Sequence, residues 1–314
     1  MRRIGSVEIN RRSLFVAAAF IAATAPSRAE PEKGGAIDLW PGAPPDGFGP
    51  RGPEEISGKG AVTNVSTPRL VVYRPSQPNG AAIVVAAGGG YQRIETGFES
   101  TPACQWLQAN GVTAFELIYR LPGEGWSRDA PFQDGRRAMR LVRAAAPSYG
   151  LAADRIGMIG FSAGGHLAGM TAIESAQPFY APIDAADAIS ARPDFCGLIY
   201  PVLTMMPPFD HTHARREILG AHPTQADREA YSVERRVDGK TPLTFLAQAA
   251  DDPVSPIDNS LMMFAALRAK GVASALHVFQ SGAHGWGMGD KSREVGVWPS
   301  LFLAWATQNS LLSR

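Results

Sequence analysis

Apolar residues along the chain fall into two alternating rhythms. Short runs that are apolar at nearly every position occur at Leu70–Tyr73, Ala81–Ala87, Val112–Tyr119, Arg155–Phe161, Phe195–Tyr200, Leu243–Ala249 and Ala275–Phe279. Unbroken apolar runs of this length, bounded by turn residues, predict strands covered on both faces. Between them lie longer stretches with helical spacing. Residues 132–146 set Phe132, Met139 and Val142 among Asp and Arg, and residues 258–270 carry Leu261, Phe264 and Leu267 ahead of a Lys270-Gly271 stop. Trp298–Gln308 places Leu301, Phe302 and Trp305 on a helical period with Pro299 in the first turn. The alternation predicts a mostly parallel sheet with helices on both faces. Right-handed crossovers then bring the strand C-termini to one edge, where such folds carry their chemistry. Residues 31–60, rich in Gly and Pro, read as an irregular arm over the surface rather than a core element. Residues 204–240 form the longest stretch without a strand signal and read as a small insertion beside the active edge.

Composition changes this picture little. The chain has 314 residues, 45% hydrophobic and 19% charged, with a formal net charge of +1. A chain of that size buries an ample core without metals or disulfides. Near-neutral charge and the lack of a Lys/Arg stripe argue against a nucleic-acid partner. The N-terminus does add something. Arg2, Arg3, Arg11 and Arg12 precede an apolar stretch, Leu14–Ala25, and Ser27-Arg28-Ala29 follows as a small-x-small cleavage site. The pair Arg11-Arg12 before Ser13-Leu14-Phe15 has the form of a twin-arginine export signal. Residues 1–29 are therefore expected to be an export signal and residues 30–314 a catalytic domain, periplasmic or secreted. The apolar stretch is shorter than the roughly 20 residues of a membrane span, so no span is expected in the mature chain. Cys104 and Cys196 read as small buried hydrophobes, with one bridge as the alternative.

Candidate chemistry centres on Gly160-Phe161-Ser162-Ala163-Gly164, a G-x-S-x-G pattern between a strand-like and a helix-like segment. A serine at a sharp strand-to-helix turn needs small neighbours so that the backbone can close and the hydroxyl can project. Ser162 is the expected nucleophile. Ala87-Gly88-Gly89-Gly90-Tyr91 follows an earlier strand, where its amides can face a developing oxyanion. Gly89 and Gly90, with the amide of Ala163, are the expected oxyanion donors. At this loop no G-x-G-x-x-G or Walker lysine supports the rival phosphate-loop reading. Of six histidines, His284 lies in a loop just after the last strand and follows every candidate acid, so it is the expected base. His277 lies inside that strand, and His166 stands along the helix after Ser162. His211, His213 and His222 fall in the insertion, where the spacing of the first two is a weak metal signal. Asp251 or Asp252, after Leu243–Ala249, can orient the base, and the D-P-V-x-P phrasing favours Asp252 at the turn. Tyr91, Trp126 and Trp286 are candidate walls of a sugar or acyl pocket. Asp134 and Arg137 read as structural ion-pair partners. No cofactor or metal is called for.

The phrases GGGYQR, VTAFELIYRLP, DGRRAMRLVR, DRIGMIGFSAGGHLAG, ARPDFCGLIYPV, YSVERRV, DDPVSP and HGWG lie along the run from Val84 to Trp286, about two-thirds of the chain. In them the chain resembles a bacterial α/β-hydrolase esterase family that is xylanase- or acetylxylan-esterase-like. The resemblance implies the α/β-hydrolase fold, Ser162, Asp252 and His284 as catalytic residues, and ester substrates such as acetyl groups on sugars or xylan. Where relatives often carry Pro or His before the triple glycine, this chain has Ala87. A prolyl-oligopeptidase-like serine peptidase shares the triad, but usually carries a propeller for which this length leaves no room. A non-catalytic carbohydrate-binding protein would not need all three triad positions filled.

Overall fold

The computed structural model describes residues 33–173 and 179–312; the export signal expected at residues 1–29 lies outside them. All the apolar runs named above become strands of one sheet. In chain order the strands are β1 (Lys33–Asp38), β2 (Glu55–Ile56), β3 (Val62–Thr63), β4 (Arg69–Tyr73), β5 (Ala82–Ala86), β6 (Thr113–Ile118), β7 (Ile156–Phe161), β8 (Phe195–Ile199), β9 (Leu243–Ala249) and β10 (Ser274–Phe279). The helices are α1 (Thr101–Ala109), α2 (Ala130–Ala144), α3 (Ala146–Tyr149), α4 (Ala163–Ile173), α5 (His213–Leu219), α6 (Gln225–Ala230), α7 (Asp258–Ala269) and α8 (Trp298–Gln308). The sheet order is β1-β4-β6-β5-β7-β8-β9-β10. The six strands β6-β5-β7-β8-β9-β10 pair in parallel, while β4 runs antiparallel to both β6 and β1.

Alternation along each strand divides the core in two. On β5, Ala82, Val84 and Ala86 face one layer, while Ile83 and Val85 face the other. The first layer takes Phe132 and Met139 of α2, Leu167 of α4 and Met263 of α7. The second takes Cys104 of α1 with Trp298 and Phe302 of α8. Helices therefore cover both faces, which is why the strands are apolar at successive positions. Both cysteines are free thiols, each on a different face of the sheet.

The arm departs from expectation. Part of it is an edge strand: β1 pairs with β4 from Lys33↔Tyr73 to Asp38↔Arg69. Leu39 and Trp40 then turn into the core. The Trp40 Nε1–H donates to Asp134 Oδ1 at 2.8 Å, and the Arg137 Nε–H to the Leu39 carbonyl at 2.8 Å. Asp134 also pairs with Arg120 at 2.9 Å, both side chains fully buried. The DGRRAMR residues thus fasten the arm to α2.

Residues 204–240 hold α5, α6 and a short 3-10 turn at Val233–Arg236, with no strand. They lie beside the C-terminal ends of the parallel strands and place Thr212, His213 and Ala214 on the wall of a cavity there.

Candidate active site

Strand β7 ends and α4 begins within three residues, and Ser162 is the hinge. Its φ of 50° lies in the left-handed region, which a residue with a Cβ enters only under local constraint. The constraint is steric and visible on both sides. A Cβ at Gly160 would strike the Gly164 carbonyl oxygen, and one at Gly164 would strike the carbonyl oxygen of Ala86. Glycine at both positions lets β7, β5 and α4 approach closely enough to push the serine outward. The Ser162 N–H donates to the Ile199 carbonyl at 3.0 Å, and the Ser162 carbonyl accepts from Val202 at 3.1 Å, which fixes the turn to β8.

His284 reaches the serine from the loop after β10. Its Nε2 lies 2.8 Å from Ser162 Oγ, and its Nδ1 lies 2.7 Å from Asp252 Oδ2. An ionised carboxylate only accepts, so Nδ1 carries the proton and Nε2 is left to accept from the serine hydroxyl. Asp252, 6% exposed, is held by the N–H groups of Val254 and Ser255, each at 2.8 Å, and by Gln248 Nε2 at 2.9 Å. Its neighbour has a different job. Asp251 Oδ1 accepts from the backbone of Gly282 and of Ala283, both at 2.8 Å, and these bonds pull its pKa below the usual carboxylate range. One aspartate meets the imidazole; the other ties down the loop that carries it.

Ser162 and His284 open on a cavity of about 740 Å³. Gly89 and Gly90 line it, whereas the amide of Gly88 is taken up by Glu99, donating to Oε2 at 2.5 Å. Ala163 follows the serine at the first position of α4. Two candidate pocket residues lie elsewhere. Tyr91 is fully buried, and its hydroxyl meets His166 Nδ1 at 3.0 Å. His166 Nε2 is 2.8 Å from the Tyr231 carbonyl, and burial pushes its pKa down to about 4. Trp126 donates to the Val65 carbonyl at 2.9 Å and packs its ring on Arg120. Both aromatics are spent on packing, so neither reaches the substrate cavity. Trp286 packs on Tyr200 with ring centroids 4.5 Å apart and borders an adjoining recess that it shares with His284.

Several cavity residues were not among the site residues expected from the sequence: Lys59, Phe98, Glu99, His213 and Val254. Glu99 is notable among them. It is 3% exposed, and burial pushes its pKa up to about 7, a shift moderated by the Gly88 amide and the Tyr200 hydroxyl. No motif in the sequence marks it, and its partners come from distant segments. Among the described residues no cluster of three His, Cys, Asp or Glu side chains could hold a metal ion, and no helix is long and apolar enough to cross a membrane.

Known proteins share this arrangement of elements. A model of the BD-FAE family matches residues 70–267. The acetylxylan esterase of Xylanibacter ruminicola is 31% identical over 225 residues, which are 70% of this chain and 44% of that protein. Endo-1,4-beta-xylanase B of Butyrivibrio fibrisolvens is 33% identical over 210 residues, 65% of this chain and 32% of that one. The chain thus spans less than half the length of these two curated relatives. Among solved structures, the acetyl ester-xyloside bifunctional hydrolase of Caldicellulosiruptor lactoaceticus superposes with a TM-score of 0.78 at 33% identity, covering 91% of this chain and all of that one. The carboxylesterase Cest-2923 of Lactobacillus plantarum shares the fold, with a TM-score of 0.68 at 24% identity, over 79% of this chain and 95% of that one. With the family match spanning most of the sheet and the serine turn, the chain belongs to the BD-FAE family of α/β-hydrolase esterases.

Proposed function

We propose that the chain hydrolyses carboxylic esters through an acyl-enzyme on Ser162, with short acyl groups on sugars or xylan as its substrates. The observation that carries this reading is the continuous relay from Ser162 Oγ to His284 Nε2 at 2.8 Å and from His284 Nδ1 to Asp252 Oδ2 at 2.7 Å. His284 takes the hydroxyl proton as Ser162 Oγ attacks the ester carbonyl. The resulting oxyanion is met by the amides of Gly89, Gly90 and Ala163, and Asp252 stabilises the imidazolium. His284 then protonates the leaving alcohol, and the acyl group stays on the serine. Water, activated by the same imidazole, releases the acid and restores the hydroxyl. The acyl preference is supported by likeness to the acetylxylan esterase and to the acetyl ester-xyloside hydrolase.

The test is hydrolysis of p-nitrophenyl acetate and of acetylated xylan, by the wild type and by Ser162→Ala. The variant should lose on the order of 10⁴-fold or more in kcat. Full activity in Ser162→Ala would overturn the mechanism. Turnover of the nitrophenyl ester with none of acetylated xylan would confine the failure to the substrate.

We also infer export by the twin-arginine route, on the strength of Arg11-Arg12 and the apolar run Leu14–Ala25. N-terminal sequencing of the protein from a periplasmic fraction should read from Glu30. A mature chain starting at Met1 in the cytoplasm would sink the inference.

A further inference from the structure

The proposed mechanism makes no use of Glu99, yet this buried residue lines the cavity. It sits on a single π-helical turn, Thr96–Ser100, leading into α1. Such turns are rare in folded chains and recur at functional sites. Both carboxylate oxygens are engaged. Oε2 accepts the Gly88 N–H at 2.5 Å, and Oε1 accepts the Tyr200 hydroxyl proton at 2.9 Å. Tyr200 in turn accepts the N–H of Gly287 at 2.9 Å, from the loop that holds His284. Its ring stands edge-on to the His284 imidazole, with centroids 5.2 Å apart, and its own φ is 36°, so like Ser162 and Ala283 it is a non-glycine residue held in the left-handed region beside the site.

One side chain therefore joins the two loops whose separation matters most: the glycine loop that faces the oxyanion and the loop that carries the base. Gly88 has no freedom to yield. A Cβ there would lie 2.7 Å from Ser162 Cβ and 3.1 Å from Glu99 Oε2, so glycine loop, serine and glutamate are already in close contact. Resting on the hydrolase reading above, we propose that Glu99 is a positioning residue. Through Gly88 on one side and Tyr200–Gly287 on the other, it sets the oxyanion donors and the imidazole at a fixed distance from each other. It touches neither substrate nor reacting atoms in this role.

A purely packing role would be cheaper to fill with an apolar side chain, since a buried carboxylate costs free energy unless its partners repay it. The groups facing it are the Gly88 amide, the Tyr200 hydroxyl, the His284 imidazole and the Glu95 carboxylate, with Tyr119 near enough to feel its charge. Burial and Glu95 favour its neutral form, while the two hydrogen bonds and His284 favour the anion. Glu99 therefore ionises near neutral pH.

The experiment uses Glu99→Ala, Glu99→Gln and Tyr200→Phe, with wild type and Ser162→Ala measured first on p-nitrophenyl acetate. Absence of Ser162-dependent turnover would defeat the hydrolase reading and with it this proposal; all later outcomes bear on Glu99 alone. Glu99→Ala should lower kcat roughly 10- to 100-fold with little change in KM, the penalty of misplaced reacting groups. Glu99→Gln can still accept the Gly88 N–H through its amide oxygen. It should keep kcat within about threefold while its kcat/KM profile loses the ionisation near pH 7 that Glu99 contributes in the wild type. Tyr200→Phe should lower kcat about 10-fold, since it cuts the link at one end only. If Glu99→Ala folds and keeps the wild-type kcat and pH profile, the proposal is overturned. If it does not fold, Tyr200→Phe decides by the same criterion.

Discussion

Single side chains in this molecule are distinguished by what their neighbours leave them to do. Asp251 and Asp252 are adjacent in sequence, yet one accepts from two backbone amides and the other from an imidazole. The turn phrasing favoured Asp252, but only the path of the loop after β10 shows what Asp251 does. Tyr91 and Trp126 followed the opposite course. Aromatics near a glycine loop suggest a sugar platform, but the hydroxyl and the indole N–H each found a buried partner, which draws the ring into the core. Local sequence does not encode that partner, because His166 and Val65 are far away in the chain. Titration separates two other buried groups. His166 has its pKa lowered from 6.5 to about 4, so it adds stability that is full above pH 6.5 and is lost as pH falls toward 4. Glu99 has its pKa raised from 4.5 to about 7, so its contribution is full below 4.5 and fades as pH rises through 7. Between pH 6.5 and 4.5 the two oppose each other. Glu99→Gln removes the second alone, and its Tm should fall more steeply than that of the wild type over this interval. Parallel Tm curves, measured by calorimetry, would contradict the assignment.

Elements were legible where hydrophobic period was strong and opaque where backbone pairing substitutes for it. The runs from Leu70 to Phe279 each gave a strand because burial on both faces demands apolar residues at successive positions. β1, with the sequence KGGAID, gives no such signal. Two glycines and two charged ends are tolerable there because the strand pairs on one side only, with β4. Its attachment depends on α2, whose Asp134 collects donors from the Trp40 indole, the Arg120 backbone and the Arg120 guanidinium. Removing that carboxylate leaves a buried cation without its counter-charge and a buried indole N–H without its acceptor. Asp134→Ala should cost about 3–5 kcal/mol, the usual consequence of stranding one partner of a buried pair. Chemical denaturation measures it directly. A loss below about 1 kcal/mol, the level of a surface pair, would mean that the arm is not held from α2.

For the molecule as a whole, the candidate site is assembled from segments far apart in the chain. Ser162 comes from the β7–α4 turn, Asp252 from the end of β9, and His284 from beyond β10. The family match stops at residue 267, so the histidine that completes the relay lies past it. Motif and chain order pointed to these residues; the buried carboxylate beneath them did not announce itself, because its partners are an amide and a phenol from other strands. The edge strand has one more consequence. With β1 in place, β4 has a neighbour on each side, and the eight-stranded sheet ends on a short, glycine-containing rim. A protease that nicked the chain just after Trp40 would unzip that rim and bare the ladder of Leu70–Tyr73, an invitation to strand exchange between molecules. The span from Lys33 to Trp40 is thus what keeps that edge from pairing with another molecule.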